Sequence, residues 1–106
     1  MTDLDPPDLL ERIAGTTPLL IIDVRSHAEF AAGHIPGAIN IPFWAIPWTD
    51  ELGVAADDSI VVYCGHGPRA QLARAVLRAR GFTRVACLAG HMAKWRESGY
   101  PVERRE

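Results

Sequence analysis

The segment Cys64-Gly65-His66-Gly67-Pro68-Arg69 brings together a thiol, two glycines, a proline and a guanidinium. A thiolate is a nucleophile, and it forms readily where positive charge lies close. The run follows an apolar stretch, Ile60-Val61-Val62-Tyr63, and precedes a segment with helical patterning. Cys64 is therefore expected at the carboxyl end of a strand and against the first turn of a helix. The helix dipole and the unpaired N–H groups of that turn favour an anion. Arg69 is expected to add a full positive charge, and both effects lower a thiol pKa. Gly65 and Gly67 are expected to take positive φ and turn N–H groups inward as an anion nest. Pro68 suits the first helical position. The competing reading of Cys64 is a small buried hydrophobe closing a strand, but an inert thiol requires neither the glycines nor the arginine. Cys87 has no such surroundings and is read as buried and inert.

The elements that must hold this loop are legible along the chain. Leu19 to Val24 is a continuous apolar run with β-branched members, as in a strand buried on both faces of a parallel sheet. Ser26 and Glu29 form a capping-box pattern that opens a short helix. Ala38 to Ile41 reads as a very short strand, and Pro42 to Asp50 as irregular or one helical turn. Arg69 to Arg80 reads as a helix with Leu72, Ala73, Ala75, Val76 and Leu77 as its apolar stripe, ended by Gly81. Arg84 to Leu88 is a further strand, followed by a last helix through Ser98. An N-terminal helix is expected between Asp5 and Gly15, with Pro6 and Pro7 in its first turn. Strands alternating with helices imply an α/β sandwich: a mostly parallel sheet of about five strands with helices on both faces. Residues 1–106 are expected to form one domain, since the chain is too short for two cores.

Composition narrows the function. Apolar residues make up 48% and charged residues 23%, a globular balance, and the formal net charge is −2. This is not the basic footprint of a nucleic-acid binder. The arginines at 69, 74, 78 and 80 read as a solvated helical face. Two cysteines make no disulfide framework. With no apolar leader in MTDLDPPDLLERIAG and no spanning-length apolar run, a cytoplasmic location without membrane association is expected. There a cysteine is catalytic or simply buried.

The chain resembles the rhodanese family from about Leu19 to Val102. The matching stretches are Ile22-Asp23-Val24-Arg25 with Glu29-Phe30, Gly33 to Ala38 with Asn40-Ile41-Pro42, and the loop Cys64 to Arg69. Leu88-Ala89-Gly90 with Trp95, Gly99, Tyr100 and Pro101 closes the match. The resemblance implies a three-layer rhodanese-like sandwich and a thiosulfate sulfurtransferase that needs no cofactor or metal. Cys64 would take a sulfane sulfur from an anionic donor such as thiosulfate, become a persulfide, and pass the sulfur to cyanide or a thiol, including a protein thiol. Gly65, His66, Gly67, Pro68 and Arg69 would bind the donor. Related phosphatases of the same general fold have a loop one residue longer. Tyrosine phosphatases typically have His where Tyr63 stands, so the resemblance favours sulfur over phosphate or arsenate. A sulfur-carrier or interaction module with little small-molecule turnover is the alternative.

The chain departs from the family at two places. Gly90-His91 stands where two glycines are common. His91 is read as a residue at the mouth of the site, tuning donor choice or proton transfer, or else as an exposed helix start. Ala70 replaces a common hydroxyl residue. His66 is expected to point outward, with its N–H in the nest. A zinc site from Cys64, His66 and His91 fits no structural spacing. Asp23, Arg25 and Glu29 are read as a structural ion-pair network, and His34 as ordering its loop. Trp95 and Trp44 are assigned to the core. Trp48 is read equally as core or as flanking the substrate entrance.

Overall fold

The computed structural model describes residues 3–50 and 52–105. Eight regular elements follow in order: α1 (Pro6–Ala14), β1 (Leu20–Asp23), α2 (His27–Ala32), β2 (Ile39–Asn40), β3 (Ser59–Tyr63), α3 (Pro68–Ala79), β4 (Arg84–Cys87) and α4 (His91–Glu97). A 3-10 segment, Phe43–Trp48, lies between β2 and β3. The strands form one parallel sheet in the order β2-β1-β3-β4. The expected count of about five strands becomes four. Leu4 adds only a single parallel bridge beside Leu88 before Pro6 starts α1.

Side-chain alternation divides the core into two layers. Along β3, Ile60 and Val62 enter one cluster with Ala70, Ala73 and Leu77 of α3 and Ile46 of the 3-10 segment. Val61 and Tyr63 enter the other, with Leu9 of α1, Phe30 of α2, and Met92 and Trp95 of α4. Both faces of the sheet are thus covered, as near-continuous apolar strands require. Cys64 continues the alternation onto the α3 side.

The strand order creates a switch point. From β1 the chain moves outward to β2, and from β3 it moves the other way to β4. The carboxyl ends of β1 and β3 therefore diverge, and such a crevice is where open α/β sheets bind ligands. Cys64 lies at one of those ends. The capping box that starts α2 lies at the other: Ser26 Oγ accepts from the Glu29 N–H, and Glu29 accepts from the Ser26 N–H.

Several side chains sit elsewhere than expected. Leu72 is 54% exposed, so the α3 stripe is carried by Ala70, Ala73 and Leu77, with Val76 half-buried. Trp44 is 55% exposed and meets Phe43 edge-on; Phe43 takes the place against the core. The arginines of α3 are more than a solvated face. Arg74 pairs with Asp3, Arg78 donates to the Val85 carbonyl, and Arg80 donates to the carbonyls of Ile46 and Asp50. Trp95 is buried and donates from its indole nitrogen to the Pro101 carbonyl. Buried His34 stacks on Phe30 and bonds to its carbonyl, which orders the loop before β2.

Candidate active site

Cys64 leaves β3 buried, and its Sγ accepts the Gly67 N–H at 3.0 Å. Gly67 is the N-cap of α3 with φ 136°, a conformation that glycine adopts without strain. Gly65, expected to share this geometry, lies outside the left-handed region. One left-handed residue is enough to reverse the chain from strand to helix. Pro68 then occupies the first position of α3, where a missing N–H costs nothing.

The loop's carbonyls are held from the far side by α4. Met92 N–H donates to the Cys64 carbonyl at 3.0 Å, and Ala93 N–H to that of Gly65 at 3.3 Å. A trans peptide points its N–H opposite to its carbonyl, so the N–H groups of Gly65 and His66 point away from α4. Among the described residues neither has a protein acceptor, which leaves both for a ligand or solvent. The His66 side chain is exposed, as expected.

His91 is not an exposed helix start. It is 5% exposed, and its Nδ1 accepts the Cys64 backbone N–H at 3.3 Å. Burial pushes the Cys64 thiol up, but hydrogen bonding by the His91 side chain, then by the Ala70 and Gly67 N–H groups, brings it down to about 7. The role expected of Arg69 in lowering this thiol thus falls chiefly to His91 and the loop amides. Cys87, in the same core layer, is held above its ordinary range by burial, in keeping with an inert thiol.

Arg69 has another partner. Its Nη1 and Nη2 donate to Glu29 Oε1 and Oε2 at 2.8 and 3.1 Å, a bidentate pair bridging the starts of α2 and α3. Glu29 thus belongs to the loop and not to the Asp23–Arg25 network, which stands without it. Asp23 accepts from the Arg25 side chain at 2.8 to 3.1 Å and from its backbone N–H, and Arg25 also donates to the Gly33 carbonyl. Trp48 is 81% exposed; it is not core.

The Arg69 pair, with the Ser26 contacts, lowers the Glu29 carboxyl to about 2. A depressed carboxylate contributes stability above its unfolded pKa and loses it as pH falls through the folded value. Both partners are a third or more exposed, so solvent screening limits the contribution to about 1 kcal/mol. Thermal melts of the native protein and Glu29→Gln are expected to differ at pH 6 and to converge between about pH 4.5 and 2. Parallel curves across that window would contradict the pairing.

No helix among the described residues is long and apolar enough to cross a membrane. The family model described as "Rhodanese-like domain" matches residues 5–98. A protein named sulfurtransferase from Allochromatium vinosum is 34% identical over 102 residues, covering 96% of this chain and 94% of that one. A thiosulfate sulfurtransferase GlpE from Pseudomonas fluorescens is 36% identical over 85 residues, 79% of this chain and 75% of that one. The human single-domain sulfurtransferase TSTD1 superposes with a TM-score of 0.81 at 29% identity, over 92% of this chain and 96% of that one.

Proposed function

Because the chain belongs to the rhodanese-like domain family, we propose that it is a sulfurtransferase that carries a sulfane sulfur on Cys64 as a persulfide. Relatives of matching length are sulfurtransferases, which supports an enzyme of that kind. The observation that carries the finer reading is the placement of Cys64. Its thiol is held down to about 7 at the switch point of the sheet, with Sγ on the Gly67 N–H. At neutral pH a large fraction of such a thiol is thiolate.

The thiolate attacks the outer sulfur of thiosulfate. A bond forms between the two sulfurs, the donor's own S–S bond breaks, and sulfite departs with the electron pair. A thiolate or cyanide then attacks the outer sulfur of the persulfide, and Cys64 leaves as thiolate. This is double-displacement covalent catalysis. The N–H groups of Gly65 and His66, which have no protein acceptor among the described residues, support the reading as donors to the anion. Arg69 supplies the charged rim, oriented by Glu29, with a role in admitting the anionic donor. A protein thiol is an acceptor of the same chemistry. Turnover with cyanide, set beside transfer to a protein thiol, separates enzyme from carrier.

The test is a paired assay at neutral pH: thiocyanate formation from thiosulfate and cyanide, and hydrolysis of an aryl phosphate. The expected outcome is thiocyanate production with no phosphatase activity above background. Aryl phosphate hydrolysis without thiocyanate would overturn the reading in favour of a phosphatase.

A further inference from the structure

The buried imidazole of His91 is joined to the nucleophile's own residue, and the backbone is bent to hold it there. His91 has φ 54°, the one positive φ on a residue other than glycine among the described residues. Such strain on a bulky residue persists where the surrounding structure fixes it, and it clusters at functional sites. The preceding Gly90 is also left-handed, with φ 73°. The Gly90 turn lets His91 reach back from the end of β4, which neighbours β3, to the Cys64 loop.

The hydrogen bond from Cys64 N–H requires an unprotonated Nδ1, so the neutral ring carries its proton on Nε2. Nε2 lies 3.3 Å from where a Cβ on Gly67 would stand. That places it against Gly67, the residue whose N–H already holds Sγ. We propose that His91 is a positioning residue for the reaction: its Nδ1 anchors the Cys64 backbone, and its Nε2–H stabilises Cys64 as thiolate. The inference rests on the reading of Cys64 as the nucleophile.

The role applies twice in a sulfur-transfer cycle. Cys64 is the attacking thiolate when the persulfide forms and the departing thiolate when the sulfur leaves. An N–H donor beside Gly67 that favours the thiolate serves both states, with no proton moved and no further reactant needed. A glycine here, as is common in the resembled family, would leave the loop amides alone to hold the anion.

The charged and titratable surroundings are few. From α3, Arg69 lies close enough to feel the Cys64 thiolate and is paired with Glu29 of α2. From β4, Cys87 is close enough to feel the Cys64 thiolate. On α4, the Lys94 side chain packs against Gly90. His66 of the loop is exposed.

The test is the pH dependence of Cys64 alkylation by iodoacetamide in the Cys87→Ala background, read by intact mass. Three variants separate the two ring nitrogens. His91→Gly suits the left-handed backbone but removes both. His91→Asn also suits that backbone and offers an oxygen near the Nδ1 position. His91→Gln reaches with an amide N–H toward the Nε2 position. The alkylation midpoint is expected to rise by about one pH unit or more in His91→Gly and His91→Asn. It is expected to stay nearer the native value in His91→Gln. An unchanged midpoint in folded His91→Gly overturns the proposal. If His91→Gly fails to fold, the other two decide, and equal midpoints for them overturn it. Alkylation requires no sulfur donor, so failure here differs from failure of persulfide formation, which would overturn the sulfurtransferase reading and leave the His91 result standing.

Discussion

Replacing Cys64 with serine is expected to lower sulfur transfer by about a thousandfold or more while leaving the fold intact, because covalent catalysis has no other nucleophile at this site. Serine is nearly isosteric, and its hydroxyl can keep the hydrogen bond from the Gly67 N–H that Sγ now accepts at 3.0 Å. What it cannot do is ionise near neutral pH, so neither the His91 side chain nor the Ala70 and Gly67 amides would have a thiolate to stabilise. Cys87 offers no substitute. It is buried in β4 with its thiol pushed up by burial. The check is thiocyanate formation alongside a thermal melt. A Cys64→Ser protein that melts normally and retains most of the activity would contradict the mechanism.

The largest expected effect on stability lies at the end of β1. Asp23 and Arg25 are both buried, joined by side-chain hydrogen bonds as short as 2.8 Å, and the guanidinium also lies 5.8 Å from the centre of the Tyr63 ring. Asp23→Asn keeps the shape but leaves the Arg25 charge uncompensated. Breaking a buried pair in this way costs about 3–5 kcal/mol. For a chain of this size that lowers the melting temperature by about 15 °C or more. Replacing both partners with apolar residues is expected to recover much of the loss, because no buried charge then remains. Thermal or urea unfolding measures both. A loss below about 1 kcal/mol for Asp23→Asn would mean that water reaches the pair.

Physical chemistry explains which parts of this arrangement were readable in advance. Local features were. The β-branched run ending at Tyr63, the capping box at Ser26 and Glu29, and the glycine-rich turn into α3 each depend on residues within a few positions, and they fold as expected except at Gly65, where the turn needs no left-handed residue beyond Gly67. The family resemblance held as well, although the sheet has four strands. Contacts across the sheet were not readable. Glu29 and Arg69 are 40 residues apart and meet only because β1 and β3 are neighbours with adjoining carboxyl ends. His91 lies 27 residues from Cys64. One of its two sequence readings put it at the mouth of the site, and the topology gives the reason: β4 pairs with β3, so the turn after β4 opens beside the Cys64 loop, and the imidazole that starts α4 is a candidate partner. The exposure of Trp44 and Leu72 shows the converse limit. Apolar character says that a side chain can be buried, while the geometry of a short 3-10 segment and of α3 decides which ones are.

As a sulfur carrier, Cys64 must accept a sulfane sulfur. The most direct test is the intact mass of the reduced protein after incubation with thiosulfate, with Cys64→Ser treated in parallel. A gain of one sulfur atom is expected on the native protein alone, reversed by cyanide or dithiothreitol. No gain with thiosulfate or any other sulfane donor, from a protein whose Cys64 still alkylates as a thiolate, would contradict that role.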